Sequence, residues 1–462
     1  MNKRSTFKPC VASIFLLGAV ILAGCSNDDP VAPAANQQGP VSRFTADVPL
    51  AWSDLQMTLI AGTPGFTPPV AARALGYSGV TLYESLVPGM PDHRSLVGLV
   101  NGLTSIPQPV AGEEIYWPAV ANSALATITS RLFAGTTPAN LARIDSLEHA
   151  LDATFGSVSN AAALERSSRY GEQVAERVFE WSKGDGGHEG YLRNFPATYT
   201  PPVGPGMWVP TPRPTGAPQS AMQPYWGSNR PFILTPGNPS IDNHPGPPPA
   251  YSEDSTSECY RQAYEVYTTV RNISPEQRAT ALFWSDDPQR TCTPAGHSIS
   301  ILSQAIRLKR VTLDKAAEAY ARVGMAVSDA FVACWQIKYQ YNVMRPITYI
   351  QNIIDPTWNR PAITDPLTTP PFPEYPSGHS VQSGAASTVL ASLYGDSFSF
   401  VDHTHDLAGM TSRSFGSFAE FAREAAISRL YGGIHCRSAI DNGLEQGRKI
   451  GSRIAALPLV VR

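Results

Sequence analysis

Wherever apolar residues recur at a regular interval in this chain, the interval is that of an α-helix. Ala72, Leu75, Gly79, Leu82 and Leu86 follow a 3-4-3-4 stripe that runs into Pro88. Leu164, Ser167, Gly171, Val174, Val178 and Trp181 repeat the pattern and meet Gly184-Asp185-Gly186-Gly187. Tyr116 to Phe133 and Pro138 to Phe155 carry helical faces of their own, which makes about four helices in this part, enough for a bundle. Small residues on the stripes allow close helix packing. Helices resume near Ser255. Ser274-Pro275-Glu276-Gln277 is a helix start, with Ser274 as cap and Pro275 in the first position. That helix is expected to run through Phe283-Trp284 to Asp286-Asp287-Pro288. A further helix covers about His297 to Leu308, a long one opens at Thr312 or Asp314 and runs toward Met344, and the last two start near Pro376 and Phe415. Strand-like alternation is scarce. The fold class is therefore all-α, with two packed helical bundles at residues 47–190 and 256–462.

The segment between them, residues 191–255, is unusual. Pro196 to Pro249 holds over a third of the chain's 42 prolines, with Trp208, Tyr225, Trp226 and Phe232 among them. Disordered linkers are poor in aromatic residues, so an ordered strap wrapped over the bundles is expected, placed to help roof a site. The chain's 462 residues, net charge of −3 and 42% hydrophobic content suit a large globular core and show no basic excess for nucleic acid. Residues 1–24 read as a signal segment: Lys3, Arg4 and Lys8 precede an apolar run, Val11 to Val20, too short to span a bilayer. Leu22-Ala23-Gly24-Cys25 looks like a bacterial lipobox, which implies cleavage before Cys25 and a lipid on its thiol. Ser26 in place of Asp favours the outer membrane, so the protein is expected to be periplasmic or at the cell surface. It would be held there by the lipid alone, with residues 25–46 as tether. Cys259, Cys292, Cys334 and Cys436 remain, an even number in an oxidising compartment. A Cys259–Cys292 bridge and four buried thiols both stay open, and the oligomeric state is not legible.

Three stretches carry chemistry. In Pro371-Phe372-Pro373-Glu374-Tyr375-Pro376-Ser377-Gly378-His379-Ser380, prolines hold off any helix until Ser377, after which a helix-friendly run extends to Tyr394 and stops at Gly395. Ser377 reads as an N-cap, with Gly378 and His379 in the first turn. Free N–H groups, a helix dipole, a hydroxyl and an imidazole make this an anion site. On the long helix, Phe331, Trp335, Lys338, Asn342 and Arg345 fall on one face, aromatic at the start and cationic at the end. A cation on an apolar face needs an anion. Arg429 supplies a third cation, and Gly432-Gly433 lets the chain turn so that His435 points back toward it.

Read together, the stretches give K-x6-R-P, then P-S-G-H, then S-R-x5-H. This resembles the superfamily of vanadium-dependent haloperoxidases and phosphatidic-acid-type phosphatases. The resemblance implies two stacked helical bundles and a tetrahedral oxyanion held by Lys338, Arg345, Ser377, Gly378, His379 and Arg429. It implies His435 as the ligand of the central atom and His379 as acid and base. With vanadate as cofactor, Lys338 would polarise hydrogen peroxide and a halide would be oxidised to hypohalous acid, to be passed to a small organic acceptor. With phosphate in the same pocket, His435 would be a phosphohistidine nucleophile and the protein an acid phosphatase. Trp335 and Phe372 match aromatic positions of fungal chloroperoxidases and favour the halide reading. Asp287 matches an aspartate that orients the arginines. The family's Asp four residues after the ligand histidine is Ala439 here, so Asp441 or a backbone carbonyl is expected to orient His435 instead. Glu374 reads most simply as a surface carboxylate, and Asp402-His403-Thr404-His405-Asp406, despite metal-like spacing, as a solvated loop.

Overall fold

The computed structural model describes residues 40–157, 159–211, 220–358 and 368–461. The signal segment, Cys25 and most of the tether lie outside these residues. Five helices occupy the first part: α1 (Asp47–Gly62), α2 (Pro68–Leu86), α3 (Trp117–Leu132), α4 (Pro138–Phe155) and α5 (Ala161–Lys183). The additional helix relative to the sequence reading is α1, whose apolar positions follow no clean stripe. After the strap come α6 (Glu258–Arg271), α7 (Pro275–Phe283), α8 (Thr293–Lys309), α9 (Leu313–Tyr341) and the single turn α10 (Pro346–Tyr349). The chain closes with α11 (Gly378–Tyr394), α12 (Phe418–Tyr431) and α13 (Arg437–Ala455). Sequence reading missed α13 because its start follows His435 with no capping side chain. Among the described residues the only strands are β1 (Phe400–Asp402) and β2 (Arg413–Phe415), an antiparallel pair between α11 and α12.

Two buried helices make the axis. α2 is buried nearly all round, and so is α9 along most of its 29 residues. They pack directly on one another, so the N-terminal and C-terminal helices share one apolar core containing Leu75, Val80, Val323 and Val327. Gly79 is what permits the contact: a Cβ there would lie 2.3 Å from the Tyr320 carbonyl oxygen. On the far side of α9, α11 packs between α9 and α13. Gly447 plays the same part there, since its Cβ would meet the Val381 carbonyl at 2.1 Å.

The described residues of the strap have almost no regular structure, yet they are tied down throughout. The Asp329 carboxylate on α9 accepts the N–H groups of Phe232, Ile233 and Leu234 at 2.6, 2.9 and 3.3 Å. Trp208 is fully buried, and its backbone N–H donates to the Asn342 carbonyl at 2.6 Å. Met222 N–H donates to Pro371 at 2.8 Å, which brings the strap to the P-S-G-H segment. α7 starts with a reciprocal capping box between Ser274 and Gln277, but it stops at Phe283. Asp286 then takes a positive φ of 49°, which no helix allows. No disulfide joins the described cysteines: Cys259, Cys292, Cys334 and Cys436 are free thiols. Among the described residues no helix is long and apolar enough to cross a membrane.

Candidate active site

The site is built where three helix ends meet. Ser377 caps α11, its hydroxyl accepting the Ser380 N–H at 3.3 Å, while its own N–H donates to Ala439 near the start of α13. Gly378 and His379, in the first turn, have N–H groups with no intrahelical acceptor, at the positive end of the dipole. α9 delivers Lys338 near its C-terminus. It does not deliver Arg345 as the single helical face required: α9 ends at Tyr341, Asn342 turns left-handed at φ 46°, and Arg345 stands at the N-cap of α10. The turn swings the guanidinium back toward the site. α12 delivers Arg429, and Gly433 at φ 71° reverses the chain, so that His435 returns to the same region.

Lys338 and Arg345 are both fully buried. Lys338 Nζ donates to the carbonyls of Pro373 and Glu374 at 2.9 and 3.0 Å and lies 5.0 Å from the Phe372 ring centre. Burial pushes its pKa down, and Arg345 adds to this. Arg345 Nε donates to Phe372 O at 2.8 Å, and its Nη1 reaches both Ile434 O at 2.8 Å and His435 Nε2 at 3.2 Å. Guanidinium can only donate, so His435 Nε2 carries the lone pair and Nδ1 the proton. That proton goes to Glu374 Oε1 at 3.0 Å. Burial, and then the positive charges of Arg345, Lys338 and Arg429, hold the His435 pKa well below its ordinary value.

Glu374 is thus the residue that sequence reading misjudged. It is 2% exposed, not a surface acid, and it also accepts the Cys436 N–H at 2.8 Å. Burial raises its pKa. Asp441, expected as an alternative, is exposed and its carboxylate is not bonded to His435. Ala439 is buried against Ile337 and Tyr375 and offers His435 no acceptor. The clue available in the sequence was an acid inside the P-S-G-H stretch in a chain lacking the usual one after the histidine.

His379 sits partly exposed, with Nε2 3.2 Å from Arg429 Nη1 and 3.9 Å from Asp286 Oδ2. Arg429 can only donate, so His379 Nε2 is unprotonated, and burial and Arg429 push the ring's pKa well down. Arg429 Nη1 also donates to the Trp284 carbonyl, and its Nε is buried with no acceptor among the described residues. Asp287 lines the cavity with its carboxyl raised by burial, and Arg429 is the cation nearest in effect. Asp286, one residue earlier, is the more deeply buried acid and exerts the larger pull on Arg429. The loop at 402–406 also departs from expectation. Asp402 and His405 are buried, and only His403 and Asp406 face solvent, paired at 2.7 Å.

The cavity is about 180 Å³, and its polar side is lined by Gly378, His379, Arg429 and His435 together with the acids Asp286 and Asp287. Its apolar side is Met222, Phe331, Trp335 and Phe372, the last two rings 5.0 Å apart. Lys338 and Arg345 stand behind Phe372 rather than in the lining. An Arg429 Nε and two helix-start N–H groups with no acceptor among the described residues, three buried cations and an imidazole lone pair that faces only Arg345 suit a tetrahedral oxyanion, and a vanadate fits this donor set.

A sequence model of the VCPO second helical-bundle domain matches residues 318–458. The chain is 25% identical over 393 residues to vanadium chloroperoxidase of Curvularia inaequalis, a match covering 73% of this chain but only 63% of that protein. The crystal structure of a bacterial vanadium-dependent iodoperoxidase is 36% identical and superposes with a TM-score of 0.80, covering 90% of this chain and 97% of the other. A holo-type bacterial vanadium-dependent chloroperoxidase, 19% identical with a TM-score of 0.62 over 86% and 92% of the two chains, has the same fold. Near-complete coverage of the iodoperoxidase at 36% identity, added to the convergence of the three motifs, places this chain in the vanadium-dependent haloperoxidase family.

Proposed function

We propose that the protein oxidises halide with hydrogen peroxide to hypohalous acid. Vanadate would be held by Lys338, Arg345, Ser377, Gly378, His379, Arg429 and His435. The observation that carries this is the state of His435: its proton is held on Nδ1 by Glu374, leaving Nε2 with a lone pair among buried cations. Such a nitrogen is a metal ligand with an oriented ring. Bound vanadate supplies a Lewis-acid centre that activates hydrogen peroxide toward halide without changing the oxidation state of the metal.

The chain's own groups do the rest. Lys338, Arg345 and Arg429 would balance the charge of the oxyanion, and Lys338 would polarise hydrogen peroxide from behind Phe372. The Ser377 hydroxyl and the Gly378 N–H fix oxygen positions at the helix start. His379, neutral and partly exposed, takes up and returns a proton at Nε2. Trp335, Phe372 and Met222 form an apolar wall that keeps water from competing for the oxidised halide. Hypohalous acid then leaves to a small organic acceptor.

The test is purified protein incubated with orthovanadate, hydrogen peroxide and iodide, bromide or chloride, with a halogen-accepting dye as reporter. Dye halogenation dependent on both orthovanadate and peroxide is expected. Hydrolysis of a phosphate ester with no halide turnover would replace this reading by the phosphatase one. The lipid anchor is a separate part of the proposal, supported by the leader and by Leu22-Ala23-Gly24-Cys25. Cells fed radiolabelled palmitate should label the wild-type chain and not Cys25→Ala.

A further inference from the structure

Below the cavity lies a buried cluster that the proposed reaction does not use: Asp402, His297, Asp286 and His405. His297 is 1% exposed on α8, against the rings of Phe283, Trp284 and His405. Its Nδ1 faces both oxygens of Asp286 at 3.1 Å, and its Nε2 faces Asp402 Oδ2 at 2.7 Å. Ionised carboxylates only accept, so both ring nitrogens donate and the ring is an imidazolium. Asp402 closes β1 and is itself fixed by Thr404, whose N–H and hydroxyl donate to Oδ1 at 2.9 and 2.6 Å. His405 Nε2 adds a second contact to Asp286 at 3.1 Å. The Trp284 ring stacks on His297 at 4.4 Å and 15°, a favourable face for a cation. Asp286 holds a left-handed backbone at φ 49°, a conformation that Asp tolerates better than most residues.

Asp286 also lines the cavity, near Arg429 and His379. The buried charges therefore alternate from the hairpin to the cavity wall: Asp402, His297, Asp286, Arg429. Asp402, His297 and Asp286 are in direct contact, and Asp286 attracts Arg429 across the cavity wall with no direct ion pair between them, so opposite charges offset the burial along the series. The geometry points to His297 as a positioning residue: clamped by Asp402, it fixes the Asp286 carboxylate that sets Arg429 and His379 at the cavity wall. The electrostatics agree. Burial alone would lower the His297 pKa, but Asp286 and Asp402 outweigh it and raise it to about 10. The inference rests on reading the cavity as an oxyanion pocket.

Binding of orthovanadate and of inorganic phosphate to the apoprotein, measured by calorimetry without peroxide or halide, tests it apart from the proposed reaction. His297→Gln and Asp402→Asn should weaken binding by about tenfold to a hundredfold, the scale of losing a group that orients a ligand. Asp402→Glu should recover most of the loss. In turnover, kcat should fall while the halide KM stays. A folded His297→Gln protein that binds both anions as wild type does overturns the inference. Nitrogen NMR of the wild-type protein at neutral pH needs no variant: two protonated ring nitrogens on His297 support it, and a neutral ring overturns it. Asp286, His297 and His405 also have donor atoms within 4.8 Å of one another. One equivalent of a transition metal in the purified protein, lost to a chelator, would make the cluster a metal site and overturn the brace.

Discussion

His435 and His379 line one cavity but are held differently. The His435 ring is bonded at both nitrogens, Nδ1 to Glu374 at 3.0 Å and Nε2 to Arg345 at 3.2 Å, and is almost fully buried. His379 has a guanidinium at 3.2 Å, a carboxylate at 3.9 Å and partial exposure. A ligand must keep one tautomer and one orientation, and the first arrangement enforces both. A proton carrier must gain and lose a proton, and the second leaves room for that. The carboxylates differ to match: Glu374 bonds its histidine directly, whereas Asp286 stands off from His379 and is occupied by His297 and His405.

Breaking the two sides separately should give opposite signatures. The largest effect is expected for His379→Ala, with kcat falling by about 10²–10⁴ while orthovanadate affinity, measured by calorimetry, is largely spared. His435→Ala should instead abolish saturable orthovanadate binding. Unimpaired activity in either variant would remove the role assigned to it. Next comes Glu374→Gln, which leaves the His435 tautomer unenforced and should weaken orthovanadate by about tenfold to a hundredfold. Asp441→Asn should change nothing by the same assay, and the contrast decides which acid orients the ligand.

The brace predicts a pH dependence of stability. His297, ordinarily near 6.5, is raised to about 10 in the folded protein. Its contribution is complete below pH 6.5 and is lost as pH rises through 10. Asp402, ordinarily at 3.8, is lowered to about 2, burial opposing and His297 prevailing. Its contribution is present above pH 3.8 and is lost as pH falls through 2. Melting temperature against pH should therefore decline on the alkaline side, and His297→Gln should flatten that limb. Smallest are changes far from the cavity. Gly79→Ala should cost about 1–3 kcal/mol by forcing α2 off α9. Ser274→Ala should cost about 1 kcal/mol through the lost cap. Both are readable in denaturant unfolding, with orthovanadate affinity unchanged.

The parts of the site that were legible in the sequence are those made by neighbours in the chain. Ser377 as a cap follows from the prolines before it and the helix formers after it. The return of His435 follows from Gly432-Gly433. Arg345 reaches the site by a route that periodicity does not show, because Asn342 breaks the helix that the pattern extends to Met344. Glu374, Asp402 and His405 were read as solvated because acids and histidines in Pro-rich or polar segments usually are. His297 gave no signal of its own, standing among Gly296, Ser298 and Ser300 at the start of α8.

From the amino-acid order alone came the helical class, the helix start that faces an anion, and the set of cations and imidazoles to be gathered. Capping, turning and periodicity are settled within about four residues, so they are written locally. Which acids would be buried, and which histidine each would hold, was decided only by the packed structure. Asp402 and His297 lie 105 positions apart, and Glu374 and His435 lie 61 apart. A carboxylate becomes an ion-pair partner rather than a solvated surface group only when other elements fold over it and remove its water.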